Sequence, residues 1–251
     1  MDRQTKSEAG AAALWQSHCT RILLDTPPFM LDDQSQAYHI QDLVARELGL
    51  RSGWKLGLNG SGEVIAAPLH QSLTYKSPAT LQRRSFNRML IESELAVVFT
   101  QALPPRKSPY KVADIFESLG TVHAAIEIVD SRFTHWPDVD PLWLLADGMS
   151  HGCFVLGSGV PLTQRVLLDH GQYDLHLDGL EIASGAGDHP LPNPFATIAS
   201  LATRLSQQGR GILAGDILTT GTFSGVTEVN AGQTATLKFH GIGECSVVVR
   251  A

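Results

Sequence analysis

The chain has 251 residues, 43% of them hydrophobic and 18% charged, an ordinary balance for a folded globular protein. Its net charge of −6 argues against a partner held by phosphate neutralisation, so no nucleic acid is expected. Three widely spaced cysteines, Cys19, Cys153 and Cys245, form neither a disulfide framework nor a metal knuckle, which suits a reducing compartment.

The first residues are polar, with no signal-like apolar stretch, and no run nears the roughly 18 apolar residues that span a bilayer. A cytoplasmic protein without a membrane partner is expected. Residues 7–24 read as an amphipathic helix with Ala12, Leu14, Trp15 and Ile22 among its apolar positions, broken by Thr26-Pro27-Pro28. Residues 35–49 read as a second helix, capped by Ser35 and stopped by Gly49. The stretch 64–81 has two prolines and little periodicity. The basic cluster Gln82–Arg88 reads as a solvated loop or subunit contact.

From about residue 86, short β-like runs dominate, at 92–99, 122–129, 152–157, 173–178, 216–221 and 234–249. A helix at 194–208 interrupts them, and turns are expected near Ala231-Gly232 and at 240–243. The expected organisation is a small N-terminal lobe, 1–85, on a β-rich body, 86–251.

Two of these runs contain carboxylates where apolar residues belong. Glu92 and Glu94 lie in Met89–Phe99, and Glu127 lies in Val122–Asp130. Residues i and i+2 of a strand share a face about 6.5–7 Å apart, so Glu92 and Glu94 project together. Two like charges at that spacing repel unless one takes a proton or a cation bridges them. If the second strand is a neighbour, all three converge into an open oxygen site of the kind that holds Mg²⁺ or Mn²⁺. The plainer alternative is a solvent-facing E-x-E pair on an edge strand.

Ala37-Tyr-His-Ile-Gln41, Gly53-Trp-Lys-Leu-Gly57, Glu92-Ser-Glu94, Glu127-Ile-Val-Asp-Ser-Arg132 and Gly221-Thr-Phe-Ser-Gly225 occur in that order. Together they resemble the 2-oxopent-4-enoate hydratase (2-keto-4-pentenoate hydratase) and 4-oxalocrotonate decarboxylase family of the fumarylacetoacetate hydrolase superfamily. The resemblance runs from about residue 10 to the end. It implies an α+β fold, a mixed β-roll with a small helical N-terminal lobe, and a homo-oligomer. It implies Mg²⁺ or Mn²⁺ on Glu92, Glu94 and Glu127, and a small 2-oxo acid substrate.

Lys55 would then face the site as the catalytic proton carrier, although a lysine between Trp54 and Leu56 also suits a surface strand start. Thr222, between two glycines, would bind substrate, although that motif also suits a hairpin loop. An acid that the family carries in the 64–74 segment is missing, and His70 is the nearest titratable substitute as a substrate-binding group. Asp130 and Arg132 read as a structural ion pair or as support for the site. Asp147 matches a family Asp-Asn segment whose Asn is Gly148 here, and His151 and Cys153 read as packing residues. The expected reaction is metal-assisted hydration of a 2-hydroxydienoate to a 4-hydroxy-2-oxo acid in aromatic catabolism. Decarboxylation of a 2-oxo diacid, acylpyruvate hydrolysis and a non-catalytic metal-binding domain are the alternatives.

Overall fold

The computed structural model describes residues 2–162 and 170–251. The Asp2 carboxylate accepts a hydrogen bond from the Thr5 amide at 2.9 Å and so caps α1 (Arg3–Thr20). Arg21 takes a left-handed backbone, φ 61°, and ends it. The helix therefore begins and ends earlier than the 7–24 expected, and Ile22 lies outside it, exposed. In α2 (Gln34–Leu48) the cap is Asp33, which accepts from the Gln36 amide, and not Ser35. Ser35 sits in the first turn, where its hydroxyl accepts from Arg3. Gly49, at φ 86°, stops the helix as expected.

Next come β1 (Arg51–Leu58) and β2 (Val64–His70), an antiparallel pair. The unperiodic stretch 64–81 thus begins with β2 and goes on into two short strands, β3 (Thr74–Lys76) and β4 (Ala79–Gln82). The body contains β5 (Leu90–Phe99), α3 (Val112–Ser118), β6 (Leu119–Val129), α4 (Pro141–Ala146) and β7 (His151–Pro161). It continues with β8 (His170–Leu177), β9 (Leu180–Asp188), α5 (Pro194–Gln207), β10 (Ile217–Glu228), β11 (Thr234–Phe239) and β12 (Gly243–Arg250).

Two sheets result. One has seven strands in the order β2-β1-β10-β5-β6-β7-β3, the other five in the order β4-β12-β11-β8-β9. Both mix parallel and antiparallel pairs. This is the α+β mixed roll that the motifs imply. Residues before 86 supply α1 and α2 and also strands to both sheets.

Alternation divides the large sheet by chemistry. Trp54, Leu56, Leu95, Val97, Phe99, Val122, Ala124, Ile126, Cys153 and Val155 join the core shared with the smaller sheet. Each large side chain buried there contributes roughly 1.5–3 kcal/mol. The opposite face carries Lys55, Glu92, Glu94 and Glu127 beside a small apolar group that includes Ala96, Ala125 and Phe154. A third cluster, with Leu14, Ile40, Phe133 and Trp143, joins α1, α2 and α4. Close approach of β1 to β10 requires Gly53, since a Cβ there would lie 1.8 Å from the Ile217 carbonyl oxygen.

His18, near the end of α1, stacks on Trp15 at 5.3 Å between ring centroids. Burial, and then Arg132 and Arg21, push its pKa down to about 4. The native state thus holds a neutral imidazole that the unfolded chain protonates near its ordinary 6.5. This contribution to stability is complete above that value and is lost as pH falls toward about 4. Urea denaturation at pH 7 and pH 4.5 is expected to show a smaller acid-side loss for His18→Gln than for the unaltered protein; equal losses contradict this.

Candidate metal centre

In the antiparallel β5–β6 pair Glu92 lies directly opposite Glu127, and Glu94 opposite Ala125. The three carboxylates therefore share one face, with one oxygen from each within 4.8 Å of the others. Glu94 and Glu127 are fully buried and Glu92 is partly open. The edge-strand alternative is excluded, because β10 and β6 flank β5 on its two sides.

Lys55 reaches this face from β1. Its ammonium donates to Glu127 Oε1 at 2.6 Å and to the Met149 carbonyl at 3.1 Å, and lies 3.9 Å from Glu92 Oε2. Burial alone would push the ammonium's pKa down; Glu127, Glu92 and Glu94 outweigh that and raise it, so the side chain stays charged. It is a buried site lysine and not a surface one.

One cation does not balance three carboxylates. Burial and the neighbouring Glu127 raise Glu92 to about 7, although Lys55 draws it down. Burial, then Glu127 and Glu92, raise Glu94 well above the usual carboxylate range. Glu127 is held below that range, because Lys55 and His151 together overcome its burial. Both Glu94 oxygens and Glu127 Oε2 are buried without a hydrogen-bond partner among the described residues. Such groups cost free energy unless something pairs with them. Unpaired carboxylate oxygens beside an open face fit a hard divalent cation.

His151 corrects the sequence reading. Its Nδ1 lies 3.1 Å from Glu127 Oε1, so it is a site residue and not packing alone. Strict alternation would put it on the same face as Cys153. The β6–β7 register instead skips Gly152, pairing Ile128 with Cys153 and Val129 with His151. That bulge turns His151 toward the glutamates. A Cβ at Gly152 would lie 2.8 Å from the Ile128 carbonyl oxygen, so glycine is the signal that the sequence carried. Cys153 points into the inter-sheet core with its thiol pKa raised by burial, and no Cys–His nucleophile forms.

Arg132 pairs with Asp147, not with Asp130. Its Nε donates to Asp147 Oδ1, and its other nitrogens donate to the Asp147 carbonyl at 2.6 Å and the His151 carbonyl at 2.9 Å. This buried fork ties the end of α4 to the start of β7 and holds the chain on either side of the Met149 carbonyl. Asp130 instead accepts from the Arg88 amide at 2.7 Å and lies 3.9 Å from Arg21.

The remaining two candidates lie differently. Thr222 sits opposite Glu94 in the register, on a twice-bulged part of β10 between Gly221 and Gly225, and donates to the Gly225 carbonyl at 3.2 Å. Its motif is therefore irregular strand and not a hairpin loop. His70 ends β2, buried, with Nδ1 3.3 Å from the Gly49 carbonyl oxygen. It lines a small cavity of about 40 Å³ behind the centre, with His18, Arg132, Asp147 and His151. The cavity that the centre itself lines is another one, about 620 Å³, reached by Lys55, Glu92, Met149 and Ser150. Neither His70 nor Thr222 lines it.

The fumarylacetoacetate (FAA) hydrolase C-terminal family model matches residues 58–250. A 2-keto-4-pentenoate hydratase of Paraburkholderia phymatum is 31% identical over 85% of this chain and 80% of its own length. Another, of Burkholderia vietnamiensis, is 30% identical over 84% of each. The 4-oxalocrotonate decarboxylase of Pseudomonas putida G7, solved with magnesium and adipate, shares the fold at a TM-score of 0.86, with 21% identity and 98% of each chain covered. A strand pair carrying Glu92, Glu94 and Glu127, a lysine that reaches it from β1 across β10, and relatives matched over most of their length lead to one assignment: the chain belongs to the fumarylacetoacetate hydrolase family.

Proposed function

We propose that the protein is a divalent-metal-dependent hydro-lyase that adds water to a 2-hydroxydienoate, giving a 4-hydroxy-2-oxo acid. The observation that carries this reading is the set of buried, unpartnered oxygens of Glu94 and Glu127 beside Lys55. Two relatives at 30% identity or more, both named 2-keto-4-pentenoate hydratase, support the choice of reaction.

Glu92, Glu94 and Glu127 would hold the cation, Mg²⁺ or Mn²⁺. When bound, it supplies positive charge against the negative charge that grows on the substrate's C2 oxygen. Lys55 and His151 both engage Glu127 Oε1, which leaves Oε2 as the oxygen free to ligate. Proton movement falls to Lys55. Charged and fixed by the Met149 carbonyl, it is a proton donor aimed into the cavity. In the sequence proposed, the enol proton leaves O2 and a proton is delivered to C5, giving the 2-oxo-3-enoate. Water then adds its oxygen to C4, and a proton goes to C3. The balance is dienoate plus one water to hydroxy-oxo acid. Thr222, opposite Glu94, frames the far side of the carboxylate cluster. Free cysteines throughout fit the cytoplasm, and assembly as a homo-oligomer is part of the same reading.

Three outcomes are expected. Mixed with Mg²⁺ and 2-hydroxypenta-2,4-dienoate, the protein should remove the dienoate's ultraviolet absorbance without releasing CO₂. EDTA or Glu94→Gln should cut that rate at least about a hundredfold, matching a loss of several kcal/mol of charge stabilisation. Undiminished loss in both cases would sink the metal assignment, and CO₂ release would identify a decarboxylase. Lys55→Met should lower kcat about 10²–10⁴-fold while the calorimetric Mg²⁺ affinity stays measurable, since proton transfer and not ligation is removed. An unchanged kcat refutes its role.

A further outcome concerns pH. Glu92 and Glu94 hold protons above the usual range, which a cation must displace. Mg²⁺ added at pH 6 in weak buffer should therefore release protons, and its apparent affinity should climb as pH rises through about 7. The stability linkage has the opposite sign. Without a cation, the native state keeps a Glu92 proton that the unfolded chain has lost above its ordinary 4.5, so that contribution falls as pH rises toward about 7. Mg²⁺ binding with no proton release contradicts this charge assignment.

A further inference from the structure

The hydratase reading fixes one end of the substrate, and the cavity wall speaks to the other. Among the described residues, Lys55 and Glu92 are the only charged side chains that line the 620 Å³ cavity, and both belong to the candidate metal centre. Away from that end, Leu58, Ile65, Trp136, Leu142, Leu144 and Met149 form much of the wall. Ile65, Trp136, Leu142, Leu144 and Met149 are half-buried, and Leu58 is exposed. They hold apolar surface at the edge of solvent, which a ligand could cover. Gln34, Asn59 and Ser61 supply polarity nearby but no positive charge.

The wall has a fixed frame. α4 begins with Pro141 behind the Asp140 cap, which presents Leu142 and Leu144 from one short helix. Trp136 lies under Arg88, whose guanidinium sits 5.9 Å from the ring centroid and whose Nη2 donates to the Thr134 carbonyl. Met149 holds a left-handed backbone, φ 56°, which aims its carbonyl at Lys55 while its side chain packs with the helical cluster. These residues come from β1, β2, the loop after β6, α4 and the turn that follows it, so no single motif carries them.

A five-carbon dienoate is small against 620 Å³. A second carboxylate at the far end of the substrate would meet leucines and a tryptophan, with no cation among the described lining residues to pair it, which is costly. An alkyl or aryl group there would be covered by the same wall. Resting on the metal-bound 2-oxo acid reading, we propose that this cavity selects monocarboxylate substrates that carry an apolar substituent on the carbon remote from the carboxylate, and that Trp136, Leu142 and Leu144 determine that specificity.

The test reads binding separately from turnover. Unreactive 2-oxo acids are titrated calorimetrically into the Mg²⁺-loaded protein: pyruvate, 2-oxopentanoate, 2-oxohexanoate, 2-oxoheptanoate and 2-oxoadipate. Affinity should rise up to about fourfold for each methylene that the wall covers, the size of one buried methylene. 2-Oxoadipate should bind roughly a hundredfold more weakly than 2-oxohexanoate. In parallel, kcat/KM should be higher for 5-alkyl-2-hydroxypenta-2,4-dienoates than for the unsubstituted dienoate.

Trp136→Ala should flatten the gain per methylene. Leu142→Lys should tighten 2-oxoadipate, a gain that misfolding cannot mimic. A flat chain-length series, or 2-oxoadipate binding as tightly as 2-oxohexanoate, overturns the proposal. If the binding series holds while no dienoate is hydrated, the hydratase reading fails and the specificity inference stands.

Discussion

Everything at the candidate centre depends on the buried contact between Lys55 and Glu127. It sets a single ammonium against three carboxylates on one face of a sheet. The contact keeps Glu127 ionised in a position where burial alone would protonate it. It cannot do the same for Glu94, whose two oxygens lack partners. A fold that carries such a deficit is tolerable if the missing partner is supplied from outside. The surplus negative charge is thus the binding potential of the centre.

The supporting structure is arranged around that deficit. Gly53 lets β1 approach β10 closely, and from β1 the Lys55 side chain reaches across to Glu92 and Glu127. The Gly152 bulge brings His151 to the oxygen that Lys55 already holds, so both contacts fall on Oε1 and none on Oε2. Arg132 and Asp147 bind the chain on either side of Gly148, Met149 and Ser150, all three at positive φ. Backbone strain of this kind persists where surrounding contacts over-determine it. Here it places the Met149 carbonyl against Lys55.

Charge and apolar surface are kept apart. Glu92 and Lys55 line one end of the cavity, and side chains of α4, the Trp136 loop and the β1–β2 hairpin line the other. A ligand anchored by its polar end would leave its remaining carbons against leucine, isoleucine and tryptophan. The first end holds the candidate metal centre, and the second carries the apolar wall.

Much was legible in the sequence because it is periodic. Strand alternation is local, so Glu92 and Glu94 could be paired from spacing alone, and the runs that became β5, β6, β7, β8, β10, β11 and β12 could be found. The order of short motifs carried the resemblance to the family and its roll. Ser35 failed as a cap because a stronger acceptor, Asp33, stood two residues earlier. Other features had no local signature. Which strands neighbour each other decided that Glu127 meets Glu92, and a one-residue bulge decided that His151 joins them while Cys153 does not. Arg132 found Asp147 across 15 positions instead of the nearer Asp130. His70 fell behind the centre because residues of β2 alternate between the two cavities, Ile65 facing the larger and Pro68 and His70 the smaller. The sequence by itself determined which chemistry was available, since residue type and period are written along the chain. Register, bulges and long-range pairing decided which of those groups meet, because contact between distant residues is set by packing in three dimensions and not by spacing in one.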